Sequence, residues 1–104
     1  MQRFAFTMKL KPGCEQEYKK RHDEIWPELE ELISEAGVSD YSIFLDESTN
    51  TLFAVQKLED DYDGDALAGH PVMQKWWKYM EDLMETNPDS SPVIKHLEEV
   101  FHME

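Results

Sequence analysis

The chain has 104 residues, 40% of them hydrophobic and 32% charged, which suits one folded domain with a single core and excludes a disordered chain. Lys and Arg number 10 against 23 Asp and Glu, a net charge of −13. Such a surface repels phosphate backbones and anionic lipid, so nucleic acid and membrane partners fall away, while a neutral ligand loses nothing.

The first element spans Phe4 to Leu10, where Phe4, Phe6, Met8 and Leu10 alternate with Ala5, Thr7 and Lys9. Period two reads as a half-buried strand, and Lys11-Pro12-Gly13 ends it. No signal-peptide core precedes this strand, and no apolar run approaches the roughly 20 residues that span a bilayer. The lone cysteine, Cys14, cannot close an intrachain disulfide. A cytoplasmic protein is expected, with residues 1–104 forming one domain.

From Cys14 to Ala36 the spacing turns helical. Tyr18, His22, Ile25, Leu29, Leu32 and Ile33 recur at steps of three or four. Pro27 interrupts the run, so a kink or two helical pieces meeting at Trp26-Pro27 are expected. Gly37 caps the end. Tyr41 to Leu45 and Leu52 to Leu58 alternate as two strands, joined by the polar turn Asp46–Asn50 into an antiparallel hairpin.

Glu59 to Gly69 is an acidic loop with room for one helical turn at Asp65–Ala68. Pro71 opens a helix on which Val72, Met73, Trp76, Trp77, Met80, Leu83 and Met84 keep helical spacing. Asn87–Pro92 breaks it, and Val93 to Met103 supplies a last strand. The order β-α-β-β-α-β is the ferredoxin-like α+β pattern, with two helices on one face of a four-stranded sheet. The other face is left bare. The large residues of the first strand make face-to-face homodimerisation the expected remedy.

The chain has no Gly-rich phosphate loop, no Gly-x-Ser-x-Gly elbow and no Cys-x-x-Cys. His70, His96 and His102 are scattered and read as surface residues. His22 is different, because it follows Tyr18 by one helical turn on the stripe that faces inward. Two readings stand. The plainer one is a hydrogen-bonded core pair, and the other is a buried acid/base with a phenol beside it. Trp76 and Trp77 point about 100° apart on their helix. Either both are core, or one packs and the other lines a pocket wall. Tyr41 opens the second strand, where its hydroxyl reaches a site or solvent. Aromatic faces, hydroxyls and one imidazole suit a neutral polyol better than an acid or phosphate.

These segments resemble the L-rhamnose mutarotase family over essentially the whole chain. The carrying blocks are Tyr18–Leu29, with His22-Asp23-Glu24-Ile25-Trp26-Pro27-Glu28 at its heart, and Trp76-Trp77-Lys78-Tyr79-Met80. Tyr41–Asp46, Asn87–Pro92 and Leu97–Phe101 also fit, while acidic Glu59–Gly69 matches least. The resemblance implies a cytoplasmic homodimer, an α+β barrel of ferredoxin-like protomers, that interconverts the anomers of L-rhamnose or a related deoxy sugar. It implies His22 as the proton donor and Tyr18, Tyr41, Trp76 and Trp77 as sugar contacts, with no metal or cofactor. The competing reading of the same topology is a cofactor-free monooxygenase or a metabolite-binding dimer. The acids lie mostly on solvated helix faces (Glu28, Glu30, Glu31, Glu35) and in the Glu59–Asp65 loop, away from this site.

Overall fold

The computed structural model describes residues 1–104. In chain order the elements are β1 (Gln2–Lys9), α1 (Glu15–Asp23), α2 (Pro27–Glu35), β2 (Val38–Asp46), β3 (Thr51–Leu58), α3 (Gly64–Ala68), α4 (Pro71–Met80) and β4 (Lys95–Leu97). The four strands form one sheet in the order β2-β3-β1-β4, with each neighbouring pair antiparallel. The expected hairpin is present, with Asp46 opposite Thr51 at its closed end.

Four helices stand where two were expected. The helical run from Cys14 divides at Trp26-Pro27 as the proline required. A residue before proline is pushed out of the helical region, and Trp26 is extended at φ −60° and ψ 128°. Pro27 then sits in the first turn of α2, where its missing N–H costs nothing. Gly37 follows the end of α2 at φ 101°, a conformation that suits glycine. The short α3 is the helical turn expected in the acidic loop. The Asp63 carboxylate caps it, accepting from the N–H groups of Asp65 and Ala66 at 3.1 Å each.

Several boundaries differ from the sequence reading, and β2 begins at Val38, so Tyr41 lies within the strand rather than opening it. α4 ends at Met80, although Leu83 and Met84 keep the helical spacing and are buried. The chain turns here to meet the end of β1: Lys11 N–H donates to the Leu83 carbonyl at 2.7 Å and Glu85 N–H to that of Lys9 at 3.0 Å. The last strand is only Lys95–Leu97, opposite Thr7, Phe6 and Ala5 of β1. Residues 98–104 lie outside it and are exposed.

The helices cover one sheet face. Phe6, Met8 and Leu10 at and just past β1, and Leu52 and Ala54 of β3, join Tyr18, Leu29, Trp76 and Met80 in one buried cluster. The opposite face carries Phe44, 64% exposed, with Phe53, Val55 and Leu97 also exposed. One expectation is corrected here. The large residues of β1 face the helices, because they occupy the even positions of a strand whose even side is buried. The bare face takes its apolar side chains from β2, β3 and β4 instead.

Candidate active site

α1 builds the reactive pair. One helical turn places His22 over Tyr18, with ring centroids 4.3 Å apart at 29°. His22 Nδ1 lies 3.0 Å from the Tyr18 carbonyl oxygen. A carbonyl only accepts, so Nδ1 carries the hydrogen and Nε2 keeps a free lone pair. Burial pushes the imidazole pKa below its ordinary 6.5, and the carbonyl bond and nearby Asp23 offset this only in part. At neutral pH the ring is uncharged, with its basic nitrogen turned away from the helix backbone.

Aromatic neighbours fix this pair. Trp76 of α4 meets the His22 ring edge-on, 5.4 Å away at 86°. Trp26, at the break between α1 and α2, packs edge-on to Trp76 at 5.1 Å and stacks on Tyr79 at 5.6 Å. Arg21 ties α1 to the end of α4. Its guanidinium lies 4.3 Å from the Tyr79 ring centroid, bonds the Tyr79 carbonyl at 2.6 Å, and grips Asp82 at 2.9 and 3.2 Å. Its Nε donates to Glu17 at 2.8 Å.

Tyr41 approaches from β2. The residue is 40% exposed, but its hydroxyl is shielded from water. Burial raises its phenol pKa, the adjacent Gln56 amide offsets part of that, and Tyr62 adds to the rise. The Tyr18 phenol is raised well beyond 10, first by burial and then by Tyr41. Both phenols are therefore neutral hydrogen-bonding hydroxyls at working pH. Together they set two uncharged hydroxyls near a basic imidazole.

The structure thus brings Tyr18, His22, Trp76 and Tyr41 together. Trp77 stands apart, half-buried against the core and in ring contact with none of them. Sequence reasoning missed Trp26, Arg21, Gln56 and Tyr62. For Gln56 the signal was visible: it is the one polar residue in the buried series Leu52, Ala54, Gln56, Leu58. Tyr62 lay in the segment with least pattern. Two open surface depressions lie elsewhere, one lined by Met1, Arg3, Lys57 and Glu99, the other by Ile25, Pro27, Glu30 and Glu31. Neither contains a residue of this site. No group of three His, Cys, Asp or Glu side chains is placed to hold a metal, and no helix is long and apolar enough to cross a membrane.

Comparison with known proteins bears on this geometry. Residues 3–103 match the family model described as L-rhamnose mutarotase. An L-rhamnose mutarotase of Flavobacterium johnsoniae is 61% identical over 102 residues, covering 98% of this chain and 95% of that protein. One from Bacteroides thetaiotaomicron is 58% identical with both chains fully covered. The crystal structure of an L-rhamnose mutarotase from Formosa agariphila superimposes at a TM-score of 0.93, with 55% identity and full coverage of both chains. A Mycobacterium tuberculosis structure at TM-score 0.56 and 12% identity, covering 98% of this chain and 97% of that one, shares the fold alone. The motif blocks, the fold and these matches agree: the chain belongs to the L-rhamnose mutarotase family.

Proposed function

We propose that this chain interconverts the α and β anomers of L-rhamnose, with His22 moving the proton and Tyr18, Tyr41, Trp76 and Trp77 contacting the sugar. Family membership supports the reaction. One observation supports the assignment to His22: its Nδ1–H is committed to the Tyr18 carbonyl at 3.0 Å, leaving Nε2 for chemistry.

Anomer exchange needs the hemiacetal ring opened and reclosed. Nε2 of the neutral imidazole takes the proton of the anomeric hydroxyl. The imidazolium so formed supplies the ring-oxygen proton through the Tyr18 hydroxyl or a water, which takes one proton as it passes another on, and the bond from the anomeric carbon to that oxygen breaks. The open aldehyde turns about one carbon–carbon bond. The same transfers in reverse reclose the ring on its other face and return every proton. His22 thus accepts before it donates, an order set by its uncharged resting state. Tyr18, whose phenolate burial disfavours, passes a proton along without itself standing charged. In this reading buried Trp76 meets the sugar by an edge beside His22, and half-buried Trp77 meets it further along α4. An analogue with a hydroxyl on the sugar's methyl group would be rejected only modestly, by ~10²-fold at best.

The working unit in this proposal is a cytoplasmic homodimer of ferredoxin-like protomers, without nucleic acid or membrane partners. The net charge of −13 and the lone cysteine support the setting. The exposed Phe44, Phe53 and Val55 support assembly through the bare sheet face.

Saturation-transfer NMR on L-rhamnose tests the reaction. The wild type should exchange anomers faster than buffer, and His22→Ala should lose about 10²–10⁴-fold of that acceleration. Equal rates for wild type and variant would remove His22 from the mechanism. A wild type no faster than buffer would remove the reaction.

A further inference from the structure

Gln56 is the anomaly of the helix-covered sheet face. It lies on β3 between the buried Ala54 and Leu58, and is itself 9% exposed. Only one other polar residue is this buried, Thr51, and its hydroxyl bonds Lys9 Nζ at 2.7 Å and the Thr49 hydroxyl at 2.8 Å. Gln56 has no such set of partners. Ser42 pairs with Val55 and Ser39 with Lys57, and the bulge between them sets Asp40 and Tyr41 against Gln56. The Gln56 amide neighbours the Tyr41 hydroxyl.

An amide has two N–H donors and an oxygen with two lone pairs. One phenol can use only part of that capacity. No buried side-chain nitrogen or oxygen in the protein is sealed without a partner. The unused valences of Gln56 therefore reach open space on the helix-covered face, beside Tyr41. Simple core packing would be served better there by Leu or Met.

We propose that Gln56 is a substrate-binding residue, whose amide holds a ring hydroxyl of the pyranose beside Tyr41 and so discriminates among neutral sugars by hydroxyl position. This rests on the mutarotase reading. The amide reads a hydroxyl through donor and acceptor together, as the single phenol beside it cannot.

The test compares wild type, Gln56→Met and Gln56→Leu by saturation-transfer NMR across a range of L-rhamnose concentrations, with urea unfolding of each. Methionine nearly matches glutamine in shape, and leucine is the second variant should one fail to fold. Both should raise KM by about tenfold or more, with the larger effect on KM than on kcat. The unfolding midpoint should hold or rise, because an underused buried amide is removed. A KM within about twofold of wild type together with a lowered midpoint would make Gln56 a packing residue and overturn the proposal. A wild type that does not accelerate exchange overturns the mutarotase reading and this one with it, so the two failures are distinguishable.

Discussion

His22 owes its chemistry to a turn of helix and to burial, and both have measurable consequences. Protonation would place hydrogen on Nε2 and remove the lone pair that takes the anomeric proton. Burial lowers the pKa of this ring from 6.5. The acceleration per encounter, kcat/KM, should therefore be level at and above pH 6.5 from this group and fall as pH drops through the lowered value. The stability linkage has the same sign. The unfolded chain binds this proton more readily, so the contribution of His22 is present above 6.5 and lost as pH falls toward the folded-state value. A pH series of kcat/KM on wild type checks the first, and a rate that rises toward acid would make His22 a donor at rest. Much of this site was legible in the sequence. The four-residue step from Tyr18 to His22 is enough to stack them, since a helix admits little else. The division between Trp76 and Trp77 was not, because which of two neighbours meets His22 depends on how α4 is rolled against α1. Gln56 was in plain view, but alternation says only that a residue points inward and nothing about whether it meets solvent, ligand or core.

Among the elements, α1 and α4 are joined by one guanidinium. Arg21 is 12% exposed along its side chain and serves Asp82, Glu17, the Tyr79 carbonyl and the Tyr79 ring at once. Lysine can carry the charge but cannot reproduce the fork or the flat stacking surface. Arg21→Met should cost about 1–3 kcal/mol in urea unfolding, and Arg21→Lys a smaller part of that. Equal stability in all three proteins would mean that the clasp is idle. This contact was invisible in sequence, because Arg21 and Asp82 are distant in the chain and both look like surface charges. The break at Pro27 was legible because proline acts locally. The end of α4 was not: Leu83 and Met84 keep helical spacing, but their backbone is claimed by Lys9 and Lys11 across the fold. Spacing records which residues are buried, and a buried turn leaves the same trace as one more turn of helix.

For the whole molecule, the two faces of the sheet divide the work. The helix-covered side holds the site, and the bare side presents Phe44 opposite Phe53 with Val55 beyond. Substituting Phe44 and Phe53 by Glu should weaken self-association by about a hundredfold or more in sedimentation, because two apolar contacts per copy are lost and charges are set in their place. Association of the wild type should tighten with added salt, since each copy brings a charge of −13. A monomer at every concentration tested would end the dimer proposal. The strand order was within reach of the sequence, but the identity of the bare face was not. Assigning it needs the phase of each strand, and β1 showed only that its large residues share a side. That phase has a further result along β3. Phe53, Val55 and Lys57 point to one side, while Leu52, Ala54, Gln56 and Leu58 point to the other. In the proposed scheme the strand carries two interleaved messages, odd letters for assembly and even letters for chemistry. Substitutions can alter one and leave its neighbour untouched. A one-residue deletion cannot, because slipping the frame exchanges the two and spoils both with a single event.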